Sequence, residues 1–236
     1  GNHRHFMQKE IFEQPTVVAQ ALGRYLDPVA GKVRLPEMPF ELATVPKVTL
    51  VACGTSYYAA LVARYWIEKL ARVPVEVDIA SEFRYREPVY MDGGLAIFIS
   101  QSGETADTLA AMRHAKAAGQ RVATIVNVMG STMAREADVV LPIHAGAEIG
   151  VASTKAFTCQ LSVLAALAVD LAAAKGQIDA AQEAAFVEEL ESAPKLMARV
   201  LAHDARYRKS PARLLLPAMY CSWAEASISL SPWKVH

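Results

Sequence analysis

The chain has 236 residues, 53% of them hydrophobic, with 24 lysines and arginines set against 24 aspartates and glutamates. That is enough apolar material for one substantial core, while zero net charge without a dense basic cluster excludes the row of phosphate contacts that nucleic acid demands. A small ligand is the better expectation, with no membrane partner either: the opening Gly1-Asn-His-Arg-His lacks the apolar core of a signal peptide, and the longest uncharged apolar-rich run, 156–169, falls short of a membrane span.

In chain order, residues 7–13 and 16–26 both have helical patterns, with Pro15 between them in the role of a first-turn proline. The proline-spaced stretch 27–46 reads as a linker or lid, so that 1–46 forms an N-terminal extension to a domain spanning 47–204. A regular alternation follows: strand 48–53, helix 57–70, strand 75–79, short helix 81–85, strand 95–99 and helix 105–118. It continues with strand 121–127, short helix 131–136, strand 139–142 and helix 155–174. Alternation of this kind predicts an α/β fold, a doubly wound five-stranded parallel sheet covered by helices on both faces as a three-layer sandwich. Helix 155–174 is apolar nearly all round and predicts burial against the sheet or a partner chain, and Gly176 suits its C-cap. An amphipathic helix over about 180–201 comes next, and beyond Asp204 the pattern decays.

The run Ile97-Phe-Ile-Ser-Gln-Ser-Gly-Glu-Thr-Ala-Asp-Thr108 carries the most chemistry. An apolar strand ends in Ser100, Gln101, Ser102 and Thr105, neutral donors around Gly103, and opens an alanine-rich helix whose first N–H groups add partial positive charge. That is the make-up of a phosphate cradle. A second copy lies upstream, where strand 48–53 runs into Gly54-Thr-Ser56. In the flavodoxin-like strand order 2-1-3-4-5 the first and third strands are neighbours whose helices leave on opposite sides, opening a crevice at both hydroxyl-rich turns. The loop 147–154 after the fifth strand is expected to fold over the same edge.

Those segments resemble the sugar isomerase (SIS) domain family, and within it the first such domain of the glutamine:fructose-6-phosphate aminotransferases (glucosamine-6-phosphate synthases). The matching stretches are Arg4-His-Phe-Met-Gln-Lys-Glu-Ile-Phe-Glu-Gln-Pro15, Ala52-Cys-Gly-Thr-Ser56, Ile79-Ala-Ser-Glu-Phe-Arg-Tyr85, Ser100-Gln-Ser-Gly-Glu-Thr-Ala-Asp-Thr108 and Glu148-Ile-Gly-Val-Ala-Ser-Thr-Lys-Ala-Phe157. The resemblance implies a hexose 6-phosphate ligand, fructose 6-phosphate or glucosamine 6-phosphate, with no cofactor and no metal. It implies that Ser56, Ser100, Gln101, Ser102 and Thr105 hold the phosphate, while Cys53, Gly54, Thr55, Val151 and Ser153 meet the sugar. In that family the histidine, carboxylate and lysine of the isomerisation belong to a second SIS domain or a neighbouring subunit, and an amide-hydrolysing domain precedes both. Their motifs are not found in this sequence, so the resemblance implies a homodimeric sugar-phosphate binder without its own catalytic residues.

Residues 205–236 read as anomalous. From Ser222, a frame made of the third base of each codon and the first two of the next can, with suitable synonymous codons, spell Leu-Gly-Arg-Gly, five variable residues and Ala-Leu-Glu-Gly-Ala. That resembles the opening of the family's second SIS domain, so the tail is expected to be a frameshifted reading of it.

Other residues carry competing readings. Ser102 and Thr105 suit helix caps as well as a cradle, and Glu104 suits a helix-dipole partner better than a base. His114 is expected to face solvent, His144, just past a strand end, to be structural or to approach the site, and Lys155 to begin a helix or steer substrate. Segment 81–86 reads as a surface charge run or a subunit contact. Cys53, Cys159 and Cys221 are odd in number and lack metal-type spacing, which reads as reduced core thiols of a cytoplasmic protein. Two other functions compete with the leading one. A sugar-phosphate sensor would favour an upstream basic recognition helix, which 7–26 lacks. A nucleotide-binding Rossmann domain would need the three-glycine fingerprint, which neither turn has.

Overall fold

The computed structural model describes residue 3 and residues 5–203; the anomalous tail lies outside the described residues. The chain opens on one helix, α1 (Phe6–Leu22), where the sequence pattern predicts two. Pro15 sits inside α1 because its one missing donor is replaced locally: the Ile11 carbonyl, which the residue at position 15 would normally bond, accepts from Gln14 Nε2 at 3.1 Å. The stretch read as a linker folds into a small antiparallel hairpin, β1 (Leu26–Asp27) and β2 (Lys32–Val33), and a 3₁₀ turn, Leu42–Thr44. The hairpin is tied to the rest of the chain by Val33 N–H donating to the buried Glu183 carboxylate at 3.1 Å.

Five parallel strands follow: β3 (Val48–Ala52), β4 (Val75–Ile79), β5 (Leu95–Ser100), β6 (Arg121–Val126) and β7 (Val139–Pro142). They lie in the order β4-β3-β5-β6-β7, which is the predicted 2-1-3-4-5. Successive side chains of a strand point to opposite faces. Leu50, Ile97, Ile99, Ile125 and Leu141 therefore fill one core with α1, α2 (Gly54–Leu70), α6 (Lys155–Ala174) and α7 (Ala180–Leu201). Val51, Phe98, Val122 and Val126 fill a second core under α3 (Ala80–Phe83), α4 (Ala106–Ala117) and α5 (Thr132–Glu136). Burial on both faces is why β3 and β5 read as continuous apolar runs, whereas the edge strand β4, Val75-Glu-Val-Asp-Ile79, alternates.

Helix α6 is the hub of the larger core. By length and composition it is apolar enough to cross a membrane, which corrects the shorter run counted from sequence, but 16 of its 20 residues are buried inside the chain. Its all-round apolar surface is covered by α1, α2, α7 and the sheet, so it leaves no face for a partner chain. The apolar-helix argument for a dimer is thereby removed.

Candidate functional site

The two hydroxyl-rich turns stand side by side. Ala52 is paired with Ile99 at the ends of β3 and β5, so Cys53 and Ser100 follow on strands about 4.8 Å apart. From there α2 and α4 depart to opposite faces of the sheet, which opens the crevice expected at a topological switch point.

Gly103 turns the chain at φ +67°, and a Cβ there would lie 2.1 Å from Ser131 Oγ and 2.6 Å from Ser131 Cβ, so both the backbone and the space require glycine. The Ser100 hydroxyl, in a residue only 4% exposed, accepts from Gly103 N–H at 3.0 Å and pairs with Thr105 Oγ1 at 3.0 Å. Ser102 Oγ accepts from Glu104 N–H at 3.2 Å. Thr105 is the N-cap residue of α4, yet its hydroxyl bonds Ser100 and not the helix. Cys53 likewise caps α2 by position only. The first N–H groups of both helices thus stay free of side-chain acceptors and supply positive potential at one spot. Ser56, in the first turn of α2, is buried beside them, and Thr55 is half-buried.

A neighbouring short helix braces the β5 turn. Met133 N–H donates to Gly103 O at 3.2 Å, Asn127 N–H to Gln101 O at 3.1 Å, and Thr132 N–H to Glu104 Oε1 at 2.7 Å. The last bond holds the Glu104 carboxyl below the usual carboxylate range. Glu104 therefore latches the cradle to α5 and is not a dipole partner of its own helix.

The loop between β7 and α6 leaves the sheet at the same edge, with Gly146, Ala147 and Glu148 in the cleft beside Gln101, and carries the remaining expected residues in unequal states. Ser153 Oγ donates to Glu148 at 3.0 Å, whereas Val151 is fully exposed at the loop tip. Lys155 does not face the site as a free cation: it is buried, and its Nζ bonds Glu13 of α1 at 2.8 Å. Beside Gln101 a cleft of about 890 Å³ is lined also by Gln20, Arg24, Asn127, His144 and Glu148. Burial, with Arg24 adding to it, pushes the His144 imidazole below its usual pKa, and His144 itself takes a left-handed backbone, φ +50°. Asn127 follows the last residue of β6, a position where strand-end chemistry is expected, but Gln20 on α1 and Arg24 in the turn after it belong to no local motif.

The other candidates differ in their surroundings. His114 is exposed and hydrogen-bonds the Tyr90 hydroxyl at 3.0 Å. Segment 81–86 carries intrachain ion pairs, Arg84 with Asp107 at 2.7 Å and Arg86 with Asp78 at 2.6 Å and with Glu76, and Tyr85 is exposed beside them. Burial raises the Cys159 thiol to about 12, which makes it an inert core group, and Cys53 is a free, half-buried thiol. Among the described residues no group of three His, Cys, Asp or Glu side chains gathers as a metal site.

Parallel-sheet topology, a crevice at the β3/β5 switch point and neutral donors at two helix N-termini together define a doubly wound α/β domain of the three-layer kind. Residues 41–170 match the SIS domain family model, and the chain belongs to that family. It is 65% identical over 204 residues to a glutamine–fructose-6-phosphate aminotransferase (isomerizing) of Zymomonas mobilis, covering 86% of this chain and 34% of that one. The corresponding protein of Brucella abortus is 57% identical over 201 residues, 85% of this chain and 33% of its own. The chain therefore spans about a third of the length of these curated relatives. Among solved structures, the C-terminal domain of glucosamine-fructose-6-phosphate aminotransferase from Francisella tularensis superposes with a TM-score of 0.83 at 43% identity, over 87% of this chain and 58% of that one.

Proposed function

We propose that the crevice binds a hexose 6-phosphate, fructose 6-phosphate or glucosamine 6-phosphate, as one half of the isomerase part of an aminotransferase of the kind the relatives represent. The observation that carries this reading is the pair of helix N-termini at adjoining strand ends, both left without side-chain caps. A phosphate monoester brings a charge of roughly −1.5 to −2 at neutral pH, and converging N–H groups with hydroxyl donors match it without a lysine. In this reading Ser56, Ser100, Gln101, Ser102 and Thr105 hold the phosphate. Cys53, Gly54, Thr55, Val151 and Ser153 face the sugar.

Interconverting a ketose and an aldose also needs a group that opens the ring and a base that moves a proton between adjacent carbons. Three ionisable groups near the cradle are engaged elsewhere, Glu104 with Thr132, Glu148 with Ser153 and Thr154, and Lys155 with Glu13, while His144 and Arg24 line the cleft beside Gln101. In this reading the described part binds the substrate and orients it, and the proton transfer belongs to a second SIS domain or a neighbouring subunit. The exposed Tyr58 and Tyr65, two turns apart on α2 next to the Gly54 turn, are the surface on which such a pairing, or a homodimer, would form. Free thiols at Cys53 and Cys159 fit a reducing cytoplasm.

Calorimetric titration of the full chain tests the reading. Heat is expected with fructose 6-phosphate and glucosamine 6-phosphate and none with NAD, together with negligible exchange of the substrate's C1 or C2 proton into solvent. NAD binding without a sugar-phosphate signal overturns the ligand, and rapid exchange overturns the division of labour.

A further inference from the structure

We infer that Glu10 is a positioning residue for the sugar end of this site: from α1 its carboxylate fixes the backbone of Ile149 and Gly150, and so sets where Val151 and Ser153 stand. This rests on the hexose-phosphate reading above. Glu10 is only 2% exposed, a burial a carboxylate tolerates only with partners. The partners come from a segment 139 residues further along the chain: Ile149 N–H donates to Oε1 at 2.6 Å, and Gly150 N–H donates to Oε1 at 3.0 Å and Oε2 at 3.1 Å.

The fit is close on both sides. A Cβ on Gly150 would lie 2.4 Å from Glu10 Oε2, so a side chain there would crowd the carboxylate out of its present bonds with the loop. One turn along α1, Glu13 holds the buried Lys155 at the other end of the loop. On the far side of the tip, Glu148 accepts from Ser153 Oγ at 3.0 Å, Thr154 N–H at 2.8 Å and Ala156 N–H at 3.2 Å. Val151 and Ala152, both exposed, are therefore carried between two carboxylate anchors. A loop without regular structure must find acceptors for its backbone N–H groups, and Glu10 supplies them from outside it. The phosphate cradle uses none of this: Ser100 to Thr105 are braced by Asn127, Ser131 and Thr132.

Because the anchors are separate, two probes separate their roles: inorganic phosphate reports the cradle, and fructose 6-phosphate reports the cradle plus the loop. Replacing Glu10 by Ala in the full chain is expected to weaken fructose 6-phosphate roughly tenfold while inorganic phosphate changes by less than about twofold, with Glu10→Gln, which keeps one acceptor oxygen, in between. Gly150→Ala, which pushes the loop off the carboxylate from the other partner, is expected to give the same split, and it decides the matter where Glu10→Ala does not fold. A role confined to holding α1 in place would lower both affinities in step. That result, or folded variants with both affinities unchanged, overturns the inference. A wild-type chain that prefers fructose 6-phosphate no more than inorganic phosphate overturns the proposed function itself.

Discussion

The two strand-to-helix turns that form the crevice have the same chemistry and opposite construction. Both glycines adopt positive φ, +59° at Gly54 and +67° at Gly103. Around Gly103 the structure is full, with Ser131 and Val126 in contact range of any added side chain, whereas a Cβ on Gly54 would meet nothing within 4 Å. The Ser100 hydroxyl is committed to Gly103 and Thr105, while no hydrogen bond among the described residues engages the Ser56 hydroxyl. One turn is a braced wall and the other an open one, so in the proposed function a ligand would meet a preorganised donor set on the β5 side and complete its contacts on the β3 side. Preorganisation of this kind lowers the ordering cost of binding.

Substitutions can break this contrast. The largest difference is expected between the glycines. Gly103→Ala combines the strain of a left-handed non-glycine residue with loss of the Ser131 cap on α5 and should cost roughly 2–3 kcal/mol, whereas Gly54→Ala carries only the conformational strain, about 1–2 kcal/mol. Urea unfolding midpoints of the full chain measure both, and equal losses would mean that the β5 turn is not braced. Next come the serines. Ser100→Ala strips the buried Gly103 N–H of its acceptor and should lower stability by about 1–3 kcal/mol as well as binding, while Ser56→Ala should stay within about 0.5 kcal/mol of wild-type stability and lose roughly tenfold in hexose-phosphate affinity. The pairing of unfolding data with calorimetry separates the two.

The smallest effect concerns the latch. Thr132 N–H lowers the Glu104 pKa in the folded chain, so its stabilising contribution is present above the ordinary value of 4.5 and is lost as pH falls through the lower folded value. Wild type should thus be more stable than Glu104→Gln at pH 7, and the gap should close in acid below 4.5. A gap that widens toward low pH would show that the carboxylate does not hold the turn. No counterpart of this pH dependence is expected at the Gly54 turn, whose glycine touches no neighbouring helix.

The amino-acid order determined what neighbouring residues decide among themselves. Five strand patterns alternating with helical ones gave the doubly wound sheet, most plainly at β3 and β5, which are buried on both faces and can carry little but apolar residues. The hydroxyls ending those runs marked both turns, since a strand end, a glycine and a helix start are all local features. What tertiary structure decided involves partners far apart in the chain, which leave no period or motif to read. Pro15 stays inside α1 because Gln14 replaces its bond and the helix has a core to lie on. Lys155 is silenced by Glu13, 142 residues away, and α6 is covered by its own chain. Gln20 and Arg24 join His144 in a cleft only when α1 packs beside the strand ends. Short-range sterics and hydrogen bonding are written residue by residue, but burial and charge pairing depend on which surfaces meet, and only the packed fold fixes that.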